Sequence, residues 1–380
     1  MTQPKLTLTE TQLRAFRARR GHLAGPGAAD PVACARDLLG AQAQVESCAL
    51  HALSLRSATR PTASDLQRLM WTDHTLVRAW GQRGTLHLYA QDDLAWINGA
   101  RATWGTSGRR GAMPSEALIA EFKALFVEAG EPLCRTDLLE HIPSSYVEQL
   151  KDHPGAGKDP RRFAASRLIW VLSRRGELVH ADKKGREQGY AHRDAWCPDL
   201  PWREIPADEA NAQLAKRYLR AFGPATLRDV AYHFGAKISD VRRWSALIQD
   251  DVVPCVCGAR KNLLLLREDV DAVREPLDDW PVRLMPAYDT VLMGHKDKGV
   301  ILPDASEEPL IWKRAAVVAA VVLAEGRIVA TWSHNKRARE VDVVVSPLSG
   351  WDPALLPGVE AEAQAFAAHV ESALGDLSVA

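Results

Sequence analysis

Residues 159–193, DPRRFAASRLIWVLSRRGELVHADKKGREQGYAHR, change their hydrophobic period partway along. Up to Arg175 the apolar side chains recur at helical spacing, and Gly176 supplies a stop. Beyond it the pattern alternates on both sides of a Lys183-Lys184-Gly185-Arg186 tip, which spells strand, turn, strand. Arg161, Arg162, Arg167, Arg174 and Arg175 on the helix, with Lys183, Lys184 and Arg186 at the tip, suit phosphate contacts that position a protein on a duplex without reading its sequence. The same side chains also suit an ordinary solvated face, and charge alone leaves the two readings level.

Helices followed by a strand-turn-strand with a basic tip are the grammar of a winged helix, and degenerate copies lie on either side. Upstream, TLTETQLRAFRARRGHL (7–23) predicts a helix capped by Thr9, with Leu13 and Phe16 on its apolar face. Asp30 and Pro31 open a second helix that runs until Gly40, 62–80 supplies a third, and RGTLHLY (83–89) alternates as a strand. EPLCRTDLLEHI (131–142) reads as a short helix-turn-helix at the start of the middle copy. Downstream of a proline-rich linker (196–210), 215–235 reads as helix, Gly-Pro break, helix. A recognition helix capped by Ser239 and a hairpin turning at Gly258–Asn262 follow. Three passes of roughly 80 residues are an internal repeat and not a solenoid period. The expectation is an α+β fold of three tandem winged-helix modules, 1–115, 116–203 and 204–280. Residues 281–380 then form a β-rich segment with a closing helix, GVEAEAQAFAAHVESALG (358–375), whose apolar face is Val359, Ala363, Phe366, Val370 and Leu374. Within that segment two apolar strands flank the basic tip His334-Asn335-Lys336-Arg337-Ala338-Arg339, which fits either a DNA groove or solvent.

Composition narrows the function classes. Forty-eight basic and 48 acidic residues cancel, so bulk charge drives the chain toward neither nucleic acid nor membrane. Distribution says more: 151–193 is basic, and 351–380 carries only acidic charges. The six cysteines lack the paired spacing of a zinc site or a secreted disulfide framework, and Cys255-x-Cys257 points to one face of a strand. The N-terminus has no signal-peptide pattern and no apolar run reaches membrane length, so a soluble, cytosolic protein is expected. Chemical motifs fail in turn. HPGAGKDP (153–160) has aspartate where Walker A needs glycine and Ser or Thr; GTSGRRG around Ser107 lacks the last glycine of a nucleophile elbow. Neither an H-E-x-x-H nor a deaminase signature occurs, and no metal or other cofactor is expected.

Four stretches in order, LLGAQAQ (38–44), RAWGQRGTLHLY (78–89), FGPATLRDVAYHFG (222–235) and LMPAYDTVLMGHKDKG (284–299), resemble the AlkZ/YcaQ family of DNA glycosylases over nearly the whole chain. That resemblance implies a bacterial, nucleoid-associated DNA repair enzyme whose winged-helix modules form a C-shaped cradle, and which hydrolyses the N-glycosidic bond of cationic 7-alkylguanine lesions, unhooks interstrand crosslinks and leaves abasic sites. It implies a Gln-aliphatic-Gln catalytic triplet at Gln42 and Gln44, with alanine in the middle. It also makes Arg83, Thr85 and His87 candidates for lining the site, and matches Tyr288 and Asp289 to a further signature; Asp289 either orients a glutamine or caps a turn. The DNA-binding candidates are Arg161, Arg162, Lys183, Lys184, Arg186, His334, Lys336, Arg337 and Arg339, the partner is damaged double-stranded DNA, and a monomer is expected to straddle one site. The chemistry is self-consistent. A guanine alkylated on its imidazole ring is already cationic, so it leaves without a general acid, and neutral amides need only stabilise the sugar cation and place water. A different class, a winged-helix regulator without catalysis, accounts for the basic wings and leaves the glutamines idle.

Overall fold

The computed structural model describes residues 6–104, 113–200 and 202–380; the Ser107 stretch lies outside them. Among these residues, mixed α and β elements assemble around four sheets. The largest runs, edge to edge, Ala41–Gln42, Leu86–Ala90, Leu76–Trp80, Leu178–Lys184, Glu187–His192 and Leu133–Cys134. Arg78 faces His180 where the first hairpin meets the second, so two hairpins distant in sequence share one sheet. A three-stranded sheet joins Leu6–Leu8, in parallel, to the hairpin of Val252–Cys257 and Arg260–Leu266. A five-stranded sheet is built from the last hundred residues, and Trp312–Lys313 pairs with Val317–Val318 in a small ribbon.

The helix signals act as their chemistry demands. The Thr9 hydroxyl accepts from the Gln12 amide and the Gln12 side chain reaches back to Thr9, closing a capping box on the Glu10–Arg20 helix. Asp30 caps the Pro31–Asp37 helix through the amides of Val32 and Ala33. The Pro160–Arg174 helix is followed by Gly176 at φ 73° and then by the hairpin, with Lys184 and Glu187 paired across the tip.

Four local expectations are corrected. Residues 62–80 divide into a helix, Ala63–Trp71, and a strand, Leu76–Trp80, because the run Leu76-Val77-Arg78-Ala79 is buried between sheet neighbours and burial overrides the helical pattern. Leu133–Cys134 is a strand and Thr136–His141 a 3-10 turn where a helix-turn-helix is expected. Ser239 lies inside the Ile238–Leu247 helix, whose N-cap position is Lys237 without a side-chain cap. The closing helix ends at His369, not Gly375; Ala373–Val379 is a strand parallel to Glu340–Pro347, with Leu374 opposite Val341. Val359, Ala363 and Phe366 do face the core, as the helical period requires. Five cysteines are buried, Cys255 and Cys257 among them, and Cys48 is half-buried. Among the described residues no helix is long and apolar enough to cross a membrane.

Candidate active site

Gln42 and Gln44 project from one side of an extended segment. Residues Ala41–Gln42 form the edge strand of the large sheet, and the Ala43 amide donates to the Leu86 carbonyl at 2.7 Å, continuing the pairing. Side chains two apart on an extended chain share a face. Ala41 and Ala43 accordingly turn into the core with Leu38, Leu50 and Leu88, while both glutamines line a single cavity of about 570 Å³. The middle residue is small because its side is occupied: Ala43 has no exposed surface. Arg78 fixes the same point from the adjacent hairpin, its Nε and Nη2 donating to the Ala43 carbonyl at 3.2 and 2.9 Å.

The glutamines are held differently. Gln42 is buried, and its Oε1 accepts from Arg83 Nη2 at 2.7 Å while Arg83 Nη1 donates to the His233 carbonyl at 2.6 Å. Because a guanidinium only donates, this bond fixes which end of the Gln42 amide faces which way. Gln44 is exposed, and its Oε1 takes only a 3.4 Å bond from the Leu86 amide, which leaves accepting capacity toward the cavity. Arg83, Arg101 and Arg174 line the cavity, and among its described lining residues there is no carboxylate. Burial lowers the Arg83 pKa and brings that of Arg101 down to about 10; both stay charged at neutral pH. Arg101 spends its charge on the carbonyls of Ser173 and Arg174 at 2.7 and 2.8 Å, the C-terminal end of the Pro160–Arg174 helix, where a cation is favoured.

Backbone strain concentrates here. Among the described residues eleven that are not glycine have positive φ, and four of them line this cavity: Arg83 (56°), Tyr288 (60°), Ala315 (59°) and Ala316 (58°). Each costs on the order of 1 kcal/mol or more, which clusters at sites where geometry outweighs stability. Close packing enforces the rest. Tyr89 sits so near Gly40 (φ 90°) and Gly81 that an added Cβ would meet its ring at 2.5 Å and its hydroxyl at 1.6 Å. Gln82, fully buried, accepts from that hydroxyl and donates to the Leu39 carbonyl at 2.7 Å, tying the Gly81–Thr85 turn to the segment before Gln42.

Of the residues the sequence singles out, Gln42, Gln44, Arg83, Thr85 and Tyr288 meet in the cavity. His87 and Asp289 are outside its lining. His87, opposite Gln42 across the sheet, is buried, and burial beside Arg83 drives its pKa down to about 3, so it is a neutral imidazole. Asp289 forms a bidentate pair with Arg56 at 2.8 Å, both side chains without exposure, and also accepts from the Val291 amide at 2.9 Å. Of the basic set, Arg167 is buried; Arg161 donates to the carbonyls of Leu139 and Ile142, Arg162 pairs with Glu187, and Lys184 with Glu131 and Asp137. On the C-terminal hairpin Arg337 pairs with Asp342, Lys336 donates to the Val370 carbonyl at 2.7 Å, and His334 packs on Trp332 and Phe366. Lys183, Arg186 and Arg339 are exposed and have no carboxylate partner among the described residues. Sequence reasoning missed Arg78, Trp80, Arg101 and Trp170, and gave Arg174, which lines the cavity, only as a phosphate contact. Arg78 and Trp80 lie inside the RAWGQRGTLHLY stretch, whereas nothing local in 159–193 marks Trp170 as a cavity wall.

Two amides on one face, a cationic wall and a mixed α+β scaffold define a class in which chemistry rests on polar positioning. The chain belongs to the DNA glycosylase AlkZ-like family, whose profile matches residues 35–369. It is 26% identical over 384 residues to the interstrand DNA cross-link repair glycosylase of Streptomyces sahachiroi, with 96% of each chain covered. The solved structure of Streptomyces sahachiroi DNA glycosylase AlkZ superposes with a TM-score of 0.81 over 99% of this chain and 100% of that one; at 21% identity that likeness concerns the fold.

Proposed function

We infer that this DNA glycosylase hydrolyses the N-glycosidic bond of cationic 7-alkylguanine lesions in double-stranded DNA and unhooks interstrand crosslinks that contain them. The observation that carries this is the convergence of the neutral amides of Gln42 and Gln44 on one cavity whose charged groups, among the described residues, are arginines. Gln44, loosely held, accepts a hydrogen bond from the attacking water, and Gln42, locked by Arg83, positions the deoxyribose. The C1′–N9 bond breaks as the electron pair neutralises the purinium ring. Water adds to C1′, its proton passes to solvent, and an abasic site remains. An amide is a poor base, so the rate gain is positional and electrostatic. Neutral lesions, which lack their own leaving-group charge, are expected to resist. The reaction is monofunctional and metal-independent: amides and guanidinium groups are weak ligands for a divalent cation.

The helix-helix-hairpin order before each basic tip supports three tandem winged-helix modules, within 1–115, 116–203 and 204–280, wrapped as a C-shaped cradle around the duplex, with 281–380 as the β-rich segment and a monomer as the acting unit. An open cradle suits a crosslinked base, which is tethered to the opposite strand and barred from a closed flipping pocket. Lys183, Arg186 and Arg339 are the basic residues best placed to meet phosphate, since the other candidates are engaged within the chain.

The test is duplex DNA carrying 7-methylguanine or a nitrogen-mustard crosslink, incubated with and without EDTA and then treated with alkali. Strand cleavage at the lesion in both buffers is expected. Gln44→Ala should slow it about 100-fold or more, the scale of losing one positioned polar group in an active site. No abasic product, or Gln44→Ala at the wild-type rate, would sink the reading; activity lost only in EDTA would sink its metal independence.

A further inference from the structure

Behind the catalytic cavity lies a second one, of about 360 Å³, within the range of roughly 300–1,000 Å³ typical of small-molecule sites. Trp80 and Trp170 line both. They meet because Arg78–His180 pairing sets the Leu76–Trp80 strand beside the hairpin that the Pro160–Arg174 helix precedes. The far side of the recess is Tyr190, Ser166, Gln188 and Arg186. The one carboxylate among its described lining residues, Glu187, is engaged by Arg162, Arg135 and Thr136. Arg186, exposed and without a carboxylate partner among the described residues, has donors to spare. The recess therefore offers aromatic walls and the donors of Arg186, the Ser166 hydroxyl being given to the Arg162 carbonyl, and among its described lining residues no free carboxylate for a cation.

Gln188 connects this recess to the glutamine pair. Its Oε1 accepts from Arg78 Nη1 at 3.2 Å, and the same guanidinium holds the Ala43 carbonyl, between Gln42 and Gln44. A guanine bearing a substituent on N7 projects it from the major-groove edge of the base, away from the sugar, so a large substituent needs its own space beside the site of hydrolysis. We propose that the recess bounded by Trp80 and Trp170 is the subsite for the lesion's N7 substituent, selecting a flat aromatic group that carries carbonyl or hydroxyl acceptors. This rests on the glycosylase reading above. A methyl group leaves the recess empty; an arylmethyl group stacks on the indoles and turns its acceptor toward Arg186, since both Gln188 amide hydrogens already go to the carbonyls of Ala181 and Gly189.

The test uses single-turnover excision from matched duplexes that differ only in the N7 group: methyl, 4-acetylbenzyl, or cyclohexylmethyl. Ser166→Trp fills the recess from the helix side. It is expected to excise 7-methylguanine within about twofold of wild type and the 4-acetylbenzyl lesion at least tenfold more slowly. Independently of any variant, wild type should half-saturate on the acetylbenzyl lesion at an enzyme concentration at least about fivefold lower than on the cyclohexylmethyl lesion, which cannot stack. Equal loss on both lesions in Ser166→Trp would assign the recess to the DNA backbone and overturn the proposal, as would no preference for the aromatic group. A wild type that releases 7-methylguanine but ignores what N7 carries overturns this proposal alone. One that releases no base at all overturns the glycosylase reading with it.

Discussion

Arg83 is the residue on which the geometry of the glutamine pair turns. It sits in the left-handed region at φ 56°, a conformation that costs a side-chain-bearing residue on the order of 1 kcal/mol, and spends its two terminal nitrogens on groups from distant parts of the chain, Gln42 Oε1 and the His233 carbonyl. The close approach of Gly235, where an added Cβ would lie 3.1 Å from Arg83 Cα, presses the turn into place. A single ammonium on a shorter reach cannot replace a rigid fork that bridges two acceptors. Arg83→Lys should therefore keep the positive charge yet leave Gln42 free to rotate, and the expected result is a single-turnover rate about tenfold lower, ~1.4 kcal/mol, with little change in the affinity for duplex DNA. Excision kinetics beside a binding titration make the check. An unaltered rate would show that Gln42 holds its orientation without Arg83.

Among the elements, the loop of residues 286–300 does for Tyr288 what the sheet does for the glutamines. Its anchor is Asp289, whose carboxylate meets Arg56 at the end of the Glu46–Arg56 helix; Arg56 also donates to the carbonyls of Gly21 and Ala52, both at 2.9 Å. The turn-capping alternative for Asp289 fits its bond from the Val291 amide, and the ion pair is an addition that no local pattern announces. Removing one partner of a buried pair strands the other, so Asp289→Ala should destabilise the fold by about 3–5 kcal/mol, read from urea unfolding. Replacing both partners, Arg56→Met with Asp289→Leu, should recover most of that loss; a single variant costing under about 1 kcal/mol would mean the pair is not closed in solution. The same contrast explains what the sequence makes legible. Capped helices, hairpin tips and the Gln42–Gln44 spacing follow from local chemistry and are readable at Thr9, Asp30 and Gly176. The strand Ala373–Val379 and the placement of Trp170 depend on partners far along the chain, and a local period carries no information about those.

For the whole molecule, those long-range partnerships leave neutral imidazoles sealed inside the body, and this sets how the protein responds to acid. His87 and His180 have their pKa values driven down to about 3 by burial, next to Arg83 and Arg78 respectively, and burial lowers His51, His233 and His295 as well. They come from strands, helices and the 286–300 loop, so unfolding exposes them together. In the unfolded chain each binds a proton as pH falls through about 6.5, whereas the folded chain refuses it until far lower. The unfolded state thus holds more protons throughout that window, and stability is full above pH ~6.5 and drains as pH falls toward 3, by ~1.4 kcal/mol per pH unit for each such histidine. The raised carboxyl groups of Asp93 and Asp269, both shifted by burial, act in the opposite sense nearer pH 4 and soften only the lower end. Unfolding free energies from urea titrations should therefore fall only gently between pH 8 and 7, by about one proton's worth or less. Between pH 6 and 5 they should fall with a slope equivalent to at least two protons, and His180→Leu should remove about one proton from that slope. A wild-type slope of less than one proton would mean that the imidazoles take up protons inside the fold, and that the sheet joining the two hairpins at Arg78 and His180 opens to water.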